Sequence, residues 1–239
     1  MTYCVAMALA EGIVCVSDTR TNAGVDHIAT FPKLHRFSLA GQRELILQSA
    51  GNLATTQSVI SRLRQQIQAD DGPHLLNVPS LFQAAELVGD ELRKIIARDS
   101  SELSQGVSLG SSFLLSVKIL GENPRLFDIY PEGNFIEVSL ETPYFQIGES
   151  KYGKPIIDRI LRYDTPLSQA LTCAMISFDS TINSNLSVGM PLDVLVLHRD
   201  SLQVQQRRVL ADEHYSRMLR LAWGEGIRTL FASMPGFEW

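Results

Sequence analysis

Three residues near the start of the chain, Thr2, Asp18 and Lys33, are of the types that acyl transfer by a threonine nucleophile needs. Small second residues generally permit removal of Met1, which would leave Thr2 with a hydroxyl and a free α-amino group. Because a free α-amine has a reference pKa of about 7.7–8, it can accept the hydroxyl proton near neutral pH. A lysine ammonium nearby would keep that amine unprotonated, and a carboxylate would hold the lysine in place. Together the three residues predict a nucleophile that carries its own base.

The first twenty residues, "MTYCVAMALAEGIVCVSDTR", predict how Thr2 and Asp18 are brought together. Two nearly continuous apolar runs, residues 3–9 and 13–17, are joined by "AEG", which indicates a β-hairpin covered on both faces. A turn at residues 10–11 or 11–12 places Thr2 opposite residues 19–21. Asp18 would then lie within a few residues of Thr2.

Each of these residues also has an ordinary structural explanation. A threonine at position 2 is uninformative by itself, "SDTR" is typical of a strand-end turn with a surface ion pair, and Lys33 alone would usually be solvated. Only the combination favours catalysis.

The elements that must hold these residues alternate between strands and helix pairs. A polar loop, "TRTNAGVDHIATF", follows the hairpin, and the strands "KLHRFSL" and "ELILQSA" come next. Apolar residues at helical spacing predict two helices, around residues 53–67 and 81–95. A meander of "SSFLLSVKIL", "RLFDIY" and "NFIEVSL" follows, with "YFQIG" as a further candidate strand. Helices at 154–162 and 167–183, the strands "PLDVLVLH" and "QVQQRRVL", and a last helix capped by Asp212 complete the chain.

This order predicts an α+β fold of two antiparallel sheets with a pair of helices outside each sheet. A strand pair that is buried on both faces needs one layer above it and one below. The chain of 239 residues has the length of one large domain, and no repeat, low-complexity segment or linker divides it. We therefore expect a single domain over residues 1–239.

Composition and charge argue against several classes of protein. The hydrophobic fraction of 45% is ordinary for a globular protein, and a formal net charge of −5 gives no basic surface for nucleic acid. No apolar run approaches the length of about 18 residues that a membrane span needs, and the start lacks the pattern of a signal peptide. We therefore expect a cytoplasmic protein.

The cysteines and histidines predict neither a disulfide framework nor a metal site. Cys4, Cys15 and Cys173 are odd in number and have apolar neighbours, as buried small hydrophobic residues do. The five histidines include no pair at metal-ligand spacing with a carboxylate partner. We expect no metal and no cofactor.

Six segments resemble the proteasome β-type subunits of the N-terminal nucleophile hydrolases, and within them the bacterial Anbu (ancestral β-subunit) proteins. They follow family order across essentially the whole chain: "TYCVAM", "SDTRTNAG", "FPKLHRF", "SAGNLATTQ", "GESKYGKPIIDR" and "SVGMPLDVLVL". Of these, "SDTRTNAG" and "GESKYGKP" point to the Anbu branch. The resemblance implies a four-layer αββα sandwich and a homo-oligomer, either ring-like or open and helical, with active sites facing an interior.

Carried over by position, the resemblance makes Thr2 the nucleophile and Asp18 the carboxylate that orients the lysine. Lys33 becomes the ammonium that tunes the terminal amine. The backbone N–H of Gly51 is assigned to the oxyanion hole, a type of group that is often the largest electrostatic contribution to acyl transfer.

Ser150, Asp179 and Ser187 occupy the regions in which β subunits place a serine, an aspartate and a second serine around the terminal amine. The sequence departs from the family pattern here, because the usual small-residue serine turn is replaced by Gly148-Glu149-Ser150. The interval from Asp179 to Ser187 is also longer than in active β subunits. A helix cap and a loop contact are the alternative roles for these residues.

Three functions remain open. The first is a threonine hydrolase that cleaves peptide or unfolded-protein substrates, for which removal of Met1 by a methionine aminopeptidase is expected to suffice. The second is a non-hydrolytic assembly subunit with the same fold, and the third is an amidase that acts on small amides. Neither the substrate preference nor an ATPase partner can be inferred from the sequence.

The last predicted helix has more apolar surface than a solvent-facing helix needs, which indicates either core packing or contact with another subunit. Its apolar residues are Tyr215, Met218, Leu219, Ala222, Trp223, Ile227 and Leu230.

Overall fold

The structure, a computed structural model, describes residues 2–22, 28–100 and 108–239. Met1, residues 23–27 of the predicted polar loop and residues 101–107 lie outside the described residues. The described strands are β1 (Tyr3–Leu9), β2 (Gly12–Asp18), β3 (Arg20–Asn22), β4 (Ile28–Thr30), β5 (Leu34–Leu39), β6 (Arg43–Gly51), β7 (Ser111–Ile119), β8 (Arg125–Ile129), β9 (Phe135–Glu137), β10 (Tyr144–Gly148), β11 (Leu192–His198) and β12 (Val204–Val209). The described helices are α1 (Leu53–Ala69), α2 (Leu81–Ser100), α3 (Lys154–Ile160), α4 (Leu167–Ser184) and α5 (His214–Ala232).

The first sheet contains the predicted hairpin. Its strand order is β10-β1-β2-β11-β12, and all neighbouring strands are antiparallel. Every residue of β1 and β2 is buried, as their continuous apolar sequence predicts. Leu9 pairs with Gly12 across the turn, so paired residue numbers in the hairpin sum to 21.

The second sheet is an antiparallel meander with the strand order β5-β6-β7-β8-β9. The short strands β3 and β4 form a separate two-stranded sheet. Helices α1 and α2 pack on the second sheet, and their apolar faces form one hydrophobic cluster with it.

Alternation along β1 shows how the layers are stacked. Tyr3, Val5 and Met7 belong to the cluster formed with α3 and α4, whereas Cys4 and Ala6 pack in the cluster between the two sheets. Successive side chains of a strand point to opposite faces, so β1 supplies both layers of core. The fold is therefore the predicted four-layer αββα sandwich.

The candidate strand "YFQIG" is confirmed as a strand, but it does not continue the meander. Residues 144–148 form β10, which pairs with β1 in the first sheet, with Tyr3 opposite Gly148 and Met7 opposite Tyr144. The physical reason is that β1 is fully buried, so its backbone groups need hydrogen-bonding partners at both edges of the strand. Strand β2 supplies one edge and β10 supplies the other.

Two smaller predictions also differ from the structure. The polar segment after the hairpin contains β3 and β4, which have three residues each and are too short to show the alternation from which strands are predicted. Glu213, rather than Asp212, occupies the N-cap position of α5, and its Oε1 accepts a hydrogen bond from the Leu210 N–H at 2.9 Å. Helices α3 and α4 have the predicted bounds to within two residues.

None of the helices in the described part of the chain is both long enough and apolar enough to cross a bilayer.

Candidate active site

The β1–β2 hairpin brings Thr2 and Asp18 together. With Cys4 paired to Ser17, the antiparallel register places Tyr3 opposite Asp18, and the Tyr3 backbone N–H donates to Asp18 Oδ1 at 3.0 Å. Thr2 is the preceding residue and is buried. The hairpin register that the sequence predicts is thus confirmed, and the carboxylate binds the residue next to the predicted nucleophile.

Asp18 forms a buried ion pair with Lys33. Lys33 Nζ lies 2.7 Å from Asp18 Oδ1, and the two side chains are 6% and 0% exposed. Lys33 Nζ also donates to the Arg20 carbonyl oxygen at 2.6 Å, and the Gly189 N–H donates to Asp18 Oδ2 at 3.4 Å. Strand β6 fixes the lysine backbone, because the Ser49 N–H donates to the Lys33 carbonyl oxygen at 2.9 Å. Both charges therefore have the additional partners that a buried ion pair needs.

Burial and pairing act in opposite directions on the Asp18 carboxyl. Burial raises its pKa, whereas the Lys33 ammonium and the backbone N–H groups of Tyr3 and Gly189 act to lower it. Lys33 makes the largest opposing contribution. If the lysine charge were lost, only the two backbone N–H groups would oppose the increase in the pKa of Asp18 that burial causes.

Three cysteines of the described residues have a shifted pKa. Among them, only Cys4 has Asp18 and Lys33 as its charged neighbours. Burial raises the pKa of Cys4 to about 12, so the group is a thiol at neutral pH. Its Sγ donates to the Ser49 carbonyl oxygen at 3.6 Å. Because the thiolate is the reactive form of cysteine, Cys4 does not compete with Thr2 as a nucleophile.

A glycine turn after β10 holds the backbone of Thr2. The Glu149 N–H donates to the Thr2 carbonyl oxygen at 2.7 Å. Gly148 has a φ of +83°, and a Cβ atom at this position would overlap the same carbonyl oxygen. Only glycine fits both the backbone conformation and the close approach, so the motif "GES" requires its first residue for packing.

Gly51 lies at the end of β6, where the chain turns into α1. It pairs with Ser111 of β7, has a φ of +108°, and leaves no room for a Cβ atom beside the Gly110 carbonyl oxygen. Asn52 follows and caps α1 by accepting a hydrogen bond from the Thr55 N–H at 3.2 Å. A helix start of this kind favours negative charge near its backbone N–H groups, which is compatible with the predicted oxyanion role of Gly51.

Two of the remaining predicted residues lie in segments that contact this centre. Ser150 is half-buried in the turn that holds Thr2. Ser187 lies in the loop between α4 and β11, two residues before Gly189, and its N–H donates to Asn185 Oδ1 at 2.9 Å. Their roles around the terminal amine remain predictions.

Asp179 is bound by groups on α4 and α5. Its Oδ1 accepts from Arg220 Nε at 2.6 Å, and its Oδ2 accepts from Asn183 Nδ2 at 3.1 Å. These bonds do not connect the carboxylate to the Asp18–Lys33 pair. Its predicted role beside the amine stays a prediction, and the ion pair with Arg220 is a contact that the sequence did not indicate.

Glu149 is a polar residue of the site that the sequence analysis did not select. Its carboxylate is only 6% exposed, and Glu149 Oε2 accepts from Asn185 Nδ2 at 2.8 Å. Glu149 Oε1 lies 3.4 Å from Lys151 Nζ. The motif "GES" indicated Ser150 rather than Glu149. No spacing rule relates residue 149 to residue 185, so their contact could not be predicted.

Arg20 is a second residue that the sequence analysis left without a role. Its Nη1 donates to the Leu186 carbonyl oxygen at 3.0 Å, and its guanidinium packs so closely on Gly189 that a Cβ atom there would overlap it. Since the Arg20 carbonyl oxygen also accepts from Lys33 Nζ, Arg20 connects the lysine to the loop before β11. The motif "SDTRTNAG", which contains Arg20, was the feature of the sequence that could have indicated a role for this residue.

The arrangement suits nucleophilic chemistry at Thr2. The residue after Thr2 binds the carboxylate that holds the buried Lys33 ammonium, and a positive charge so placed can stabilise negative charge that develops on a nearby oxygen atom. Within residues 2–22, 28–100 and 108–239, no group of three or more His, Cys, Asp or Glu side chains is arranged to hold a metal ion.

Comparison with known proteins gives two kinds of relative, and no model of a known protein family matches the chain. The structure is similar to Anbu (ancestral beta-subunit) from Yersinia bercovieri, with 54% sequence identity and a TM-score of 0.93 over 99% of each chain. It is also similar to the helical assembly of the Anbu complex from Pseudomonas aeruginosa, with 54% identity and a TM-score of 0.94 over 99% of this chain and 98% of that one. A proteasome subunit beta from Haloquadratum walsbyi is 23% identical over 211 residues, which are 86% of this chain and 76% of that protein.

Proposed function

The chain belongs to the Anbu (ancestral β-subunit) family of proteasome β-type proteins, and on that basis we propose that it is a threonine hydrolase that cleaves peptide bonds once Met1 has been removed. The observation that carries the proposal is the position of one carboxylate oxygen. Asp18 Oδ1 accepts from the Tyr3 N–H at 3.0 Å and lies 2.7 Å from Lys33 Nζ. One atom thereby fixes both the residue that follows the nucleophile and the ammonium that activates it.

In the first step, Thr2 Oγ1 attacks the amide carbonyl carbon while the α-amine takes the hydroxyl proton, directly or through one water. The Lys33 ammonium favours the neutral amine and the developing alkoxide. The Gly51 N–H donates to the carbonyl oxygen as that oxygen gains negative charge. The C–N bond then breaks, the proton passes from the α-amine to the leaving nitrogen, and an ester remains on Thr2.

In the second step, a water molecule gives its proton to the α-amine and attacks the ester carbonyl carbon. The C–O bond to Thr2 breaks, the proton returns to Thr2 Oγ1, and the carboxylic acid product leaves. We assign Ser150 and Ser187 to hydrogen bonds around the amine. Asp179 could join them only after its ion pair with Arg220 opens.

We further propose that the chain acts within an assembly of its own copies in the cytoplasm. The Anbu complex of Pseudomonas aeruginosa forms a helical assembly, and this chain shares its fold. Such an assembly would enclose the active sites and admit extended peptides more readily than folded proteins.

The test of the hydrolase is intact-mass spectrometry of the purified protein before and after incubation with a threonine-directed β-lactone. We expect a mass without Met1 and one adduct per chain, and no adduct on the variant T2A. A protein that has lost Met1 and still takes no adduct would contradict the proposal.

A non-hydrolytic assembly subunit is the second candidate. The Asp179–Arg220 ion pair favours it, since a carboxylate predicted to serve the amine is engaged by α5. This candidate predicts an oligomer without an adduct. An amidase would take the adduct and cleave simple amides but not short peptides.

A further inference from the structure

We propose that Glu149 is a positioning residue whose carboxylate fixes the charge state of the Thr2 α-amine and so sets the pH range in which Thr2 attacks. This inference rests on the proposed function, because it concerns the base of that reaction. It goes beyond the predicted site, in which Glu149 had no role.

The direction of the Thr2 nitrogen follows from the backbone of β1. In a strand, the N–H and C=O groups of one residue point to the same side, and those of the next residue point to the other side. The Tyr3 N–H points toward β2, where it donates to Asp18, and the Thr2 carbonyl oxygen points toward β10, where it accepts from Glu149. The Thr2 nitrogen is therefore directed toward residue 149.

The backbone of Glu149 lies beside Thr2. Tyr3 pairs with Gly148 at the end of the β1–β10 ladder, and after the turn at Gly148 the Glu149 N–H donates to the Thr2 carbonyl oxygen at 2.7 Å. A hydrogen bond of this length brings the two residues into direct contact, so the Glu149 side chain begins next to Thr2. The carboxylate thus belongs to the residue whose backbone binds Thr2.

The carboxylate is held in place from the neighbouring loop. Asn185 Nδ2 donates to Glu149 Oε2 at 2.8 Å, and the side chain is 6% exposed. Lys151 Nζ lies 3.4 Å from Glu149 Oε1, but the lysine side chain is 68% exposed, so solvent screens much of its charge. Glu149 is consequently a buried negative charge with one neutral donor and one weakly acting cation.

Among the described residues, few other charged groups lie around Thr2. Asp18 at the end of β2 and Lys33 before β5 form an ion pair at 2.7 Å, which offsets part of the effect of each charge on the amine. Arg20 of β3 donates to the Leu186 carbonyl oxygen, and residues 185–190 of that loop carry no charged side chain. Glu149 is therefore the acidic group near the amine that lacks a buried cation of its own.

A carboxylate near an amine favours the ammonium form, whereas the Lys33 ammonium favours the neutral form. The two side chains act in opposition, and the balance decides how much neutral amine is present at a given pH. Loss of the Glu149 charge would lower the pH at which the amine becomes a base.

The experiment measures the titration of the α-amine directly, by competitive labelling with acetic anhydride between pH 5 and 10 and mass spectrometry of the N-terminal peptide. In the variant E149Q, whose amide oxygen can still accept from Asn185, we expect the midpoint to fall by about 0.5–1.5 pH units. The acidic limb of the β-lactone acylation rate should move by the same amount.

Three variants separate charge from structure. E149D keeps the charge and should restore most of the wild-type midpoint, and K151M should raise the midpoint slightly because it removes a cation beside the carboxylate. The matched control E141Q removes an exposed carboxylate and should leave the midpoint unchanged. K151M alters an exposed side chain, so it tests the proposal even if E149Q fails to fold.

The outcomes distinguish this inference from the proposed function. Equal midpoints in wild type and E149Q, or a fall in E149D as large as in E149Q, would overturn the role of Glu149 while leaving the hydrolase in place. A shifted midpoint in a protein that takes no β-lactone would support control of the amine by Glu149 and contradict the hydrolase. Retention of Met1 would overturn both.

Discussion

At the scale of single residues, the Asp18–Lys33 pair is the feature that most needs a reason. Transfer of two charges from water into the interior costs several kcal/mol per ion, and well-packed apolar residues are often as stable as such a pair. Asp18 is fully buried and Lys33 nearly so. Stability therefore does not account for these two residue types, whereas the proposed activation of Thr2 would account for them.

The variant K33M should separate these two effects. It leaves the Asp18 carboxylate buried without its cation, so we expect the free energy of unfolding to fall by about 3–5 kcal/mol, measured by urea denaturation. The double variant D18N/K33M should recover most of that stability and still take no β-lactone. An adduct on the double variant would show that the pair is structural only.

Asp128 is a second buried carboxyl, on β8, and it gives a prediction for the pH dependence of stability. Its side chain is 9% exposed, its Oδ1 has no hydrogen-bonding partner among the described residues, and burial raises its pKa to about 6 from 3.8. The folded state thus binds this proton more tightly than the unfolded state, so the contribution of Asp128 is most favourable below about pH 4 and is lost as the pH rises through about 6. The variant D128N should gain stability relative to wild type between pH 4 and 7.5, by up to about 3 kcal/mol in thermal or urea unfolding.

The exposed Asp164 supplies a control for Asp128. The variant D164N accounts for the effect of removing one surface charge. A stability difference between D128N and wild type that does not change with pH would contradict the assignment of a raised pKa to this carboxyl.

At the scale of elements, the start of β1 is anchored by a cluster of three polar side chains, of which those of Tyr3 and Ser177 are buried. Tyr3 Oη lies 2.5 Å from Ser177 Oγ of α4, and Gln146 Nε2 of β10 also donates to Tyr3 Oη. Gly153, at the start of α3, leaves no space between itself and these groups, since a Cβ atom there would overlap both hydroxyl oxygens. The second glycine of "GESKYGKP" is therefore required by the anchoring of Tyr3, one residue after Thr2.

The variant G153A should test this anchoring. The added methyl group forces the Tyr3 and Ser177 hydroxyls apart, so we expect a loss of about 1–3 kcal/mol in the free energy of unfolding, together with slower β-lactone acylation. The variant G72A, whose Cβ atom would meet nothing within 4 Å, is the matched control. Equal effects of the two substitutions on stability would contradict the clash.

At the scale of the whole molecule, α5 and the residues after it are the part that the chain leaves uncovered. No residue of α5 is buried. Phe231 and Phe237 are 78% and 80% exposed, and Trp239 is fully exposed. Large apolar side chains that are exposed in this way favour a contact with another protein, and in the proposed assembly a second copy of the chain would be that partner.

A triple variant, F231S/F237S/W239S, should weaken that assembly. We expect light scattering after size-exclusion chromatography to show a fall in mean mass toward the monomer, because the apolar area that copies bury on contact is reduced. The control L140S changes an exposed apolar residue at the turn before β10 and should leave the mean mass unchanged. An unchanged mass in the triple variant would show that other surfaces hold the copies together.

The parts of this protein that depend on local patterns could be predicted from the amino-acid sequence alone. Continuous apolar runs around a two-residue turn predicted the β1–β2 register, and that register places Asp18 beside the residue after Thr2. Helical periodicity predicted two helix pairs. Strands that are buried on both faces predicted one layer above and one layer below each sheet. These features follow from side-chain spacing within single elements, which a sequence displays directly. The single-domain prediction and the roles of the seven predicted site residues stay predictions.

The contacts between segments that are far apart in the chain could not be predicted and are seen only in the folded protein. The position of β10 beside β1, the Glu149–Asn185 hydrogen bond and the Asp179–Arg220 ion pair join residues that no periodicity relates. Each depends on which strand edge still needs backbone partners or on which loops the stacked layers bring together. Such contacts arise from packing in three dimensions, and for that reason Glu149, whose N–H binds the Thr2 carbonyl oxygen, could not be selected from the sequence alone.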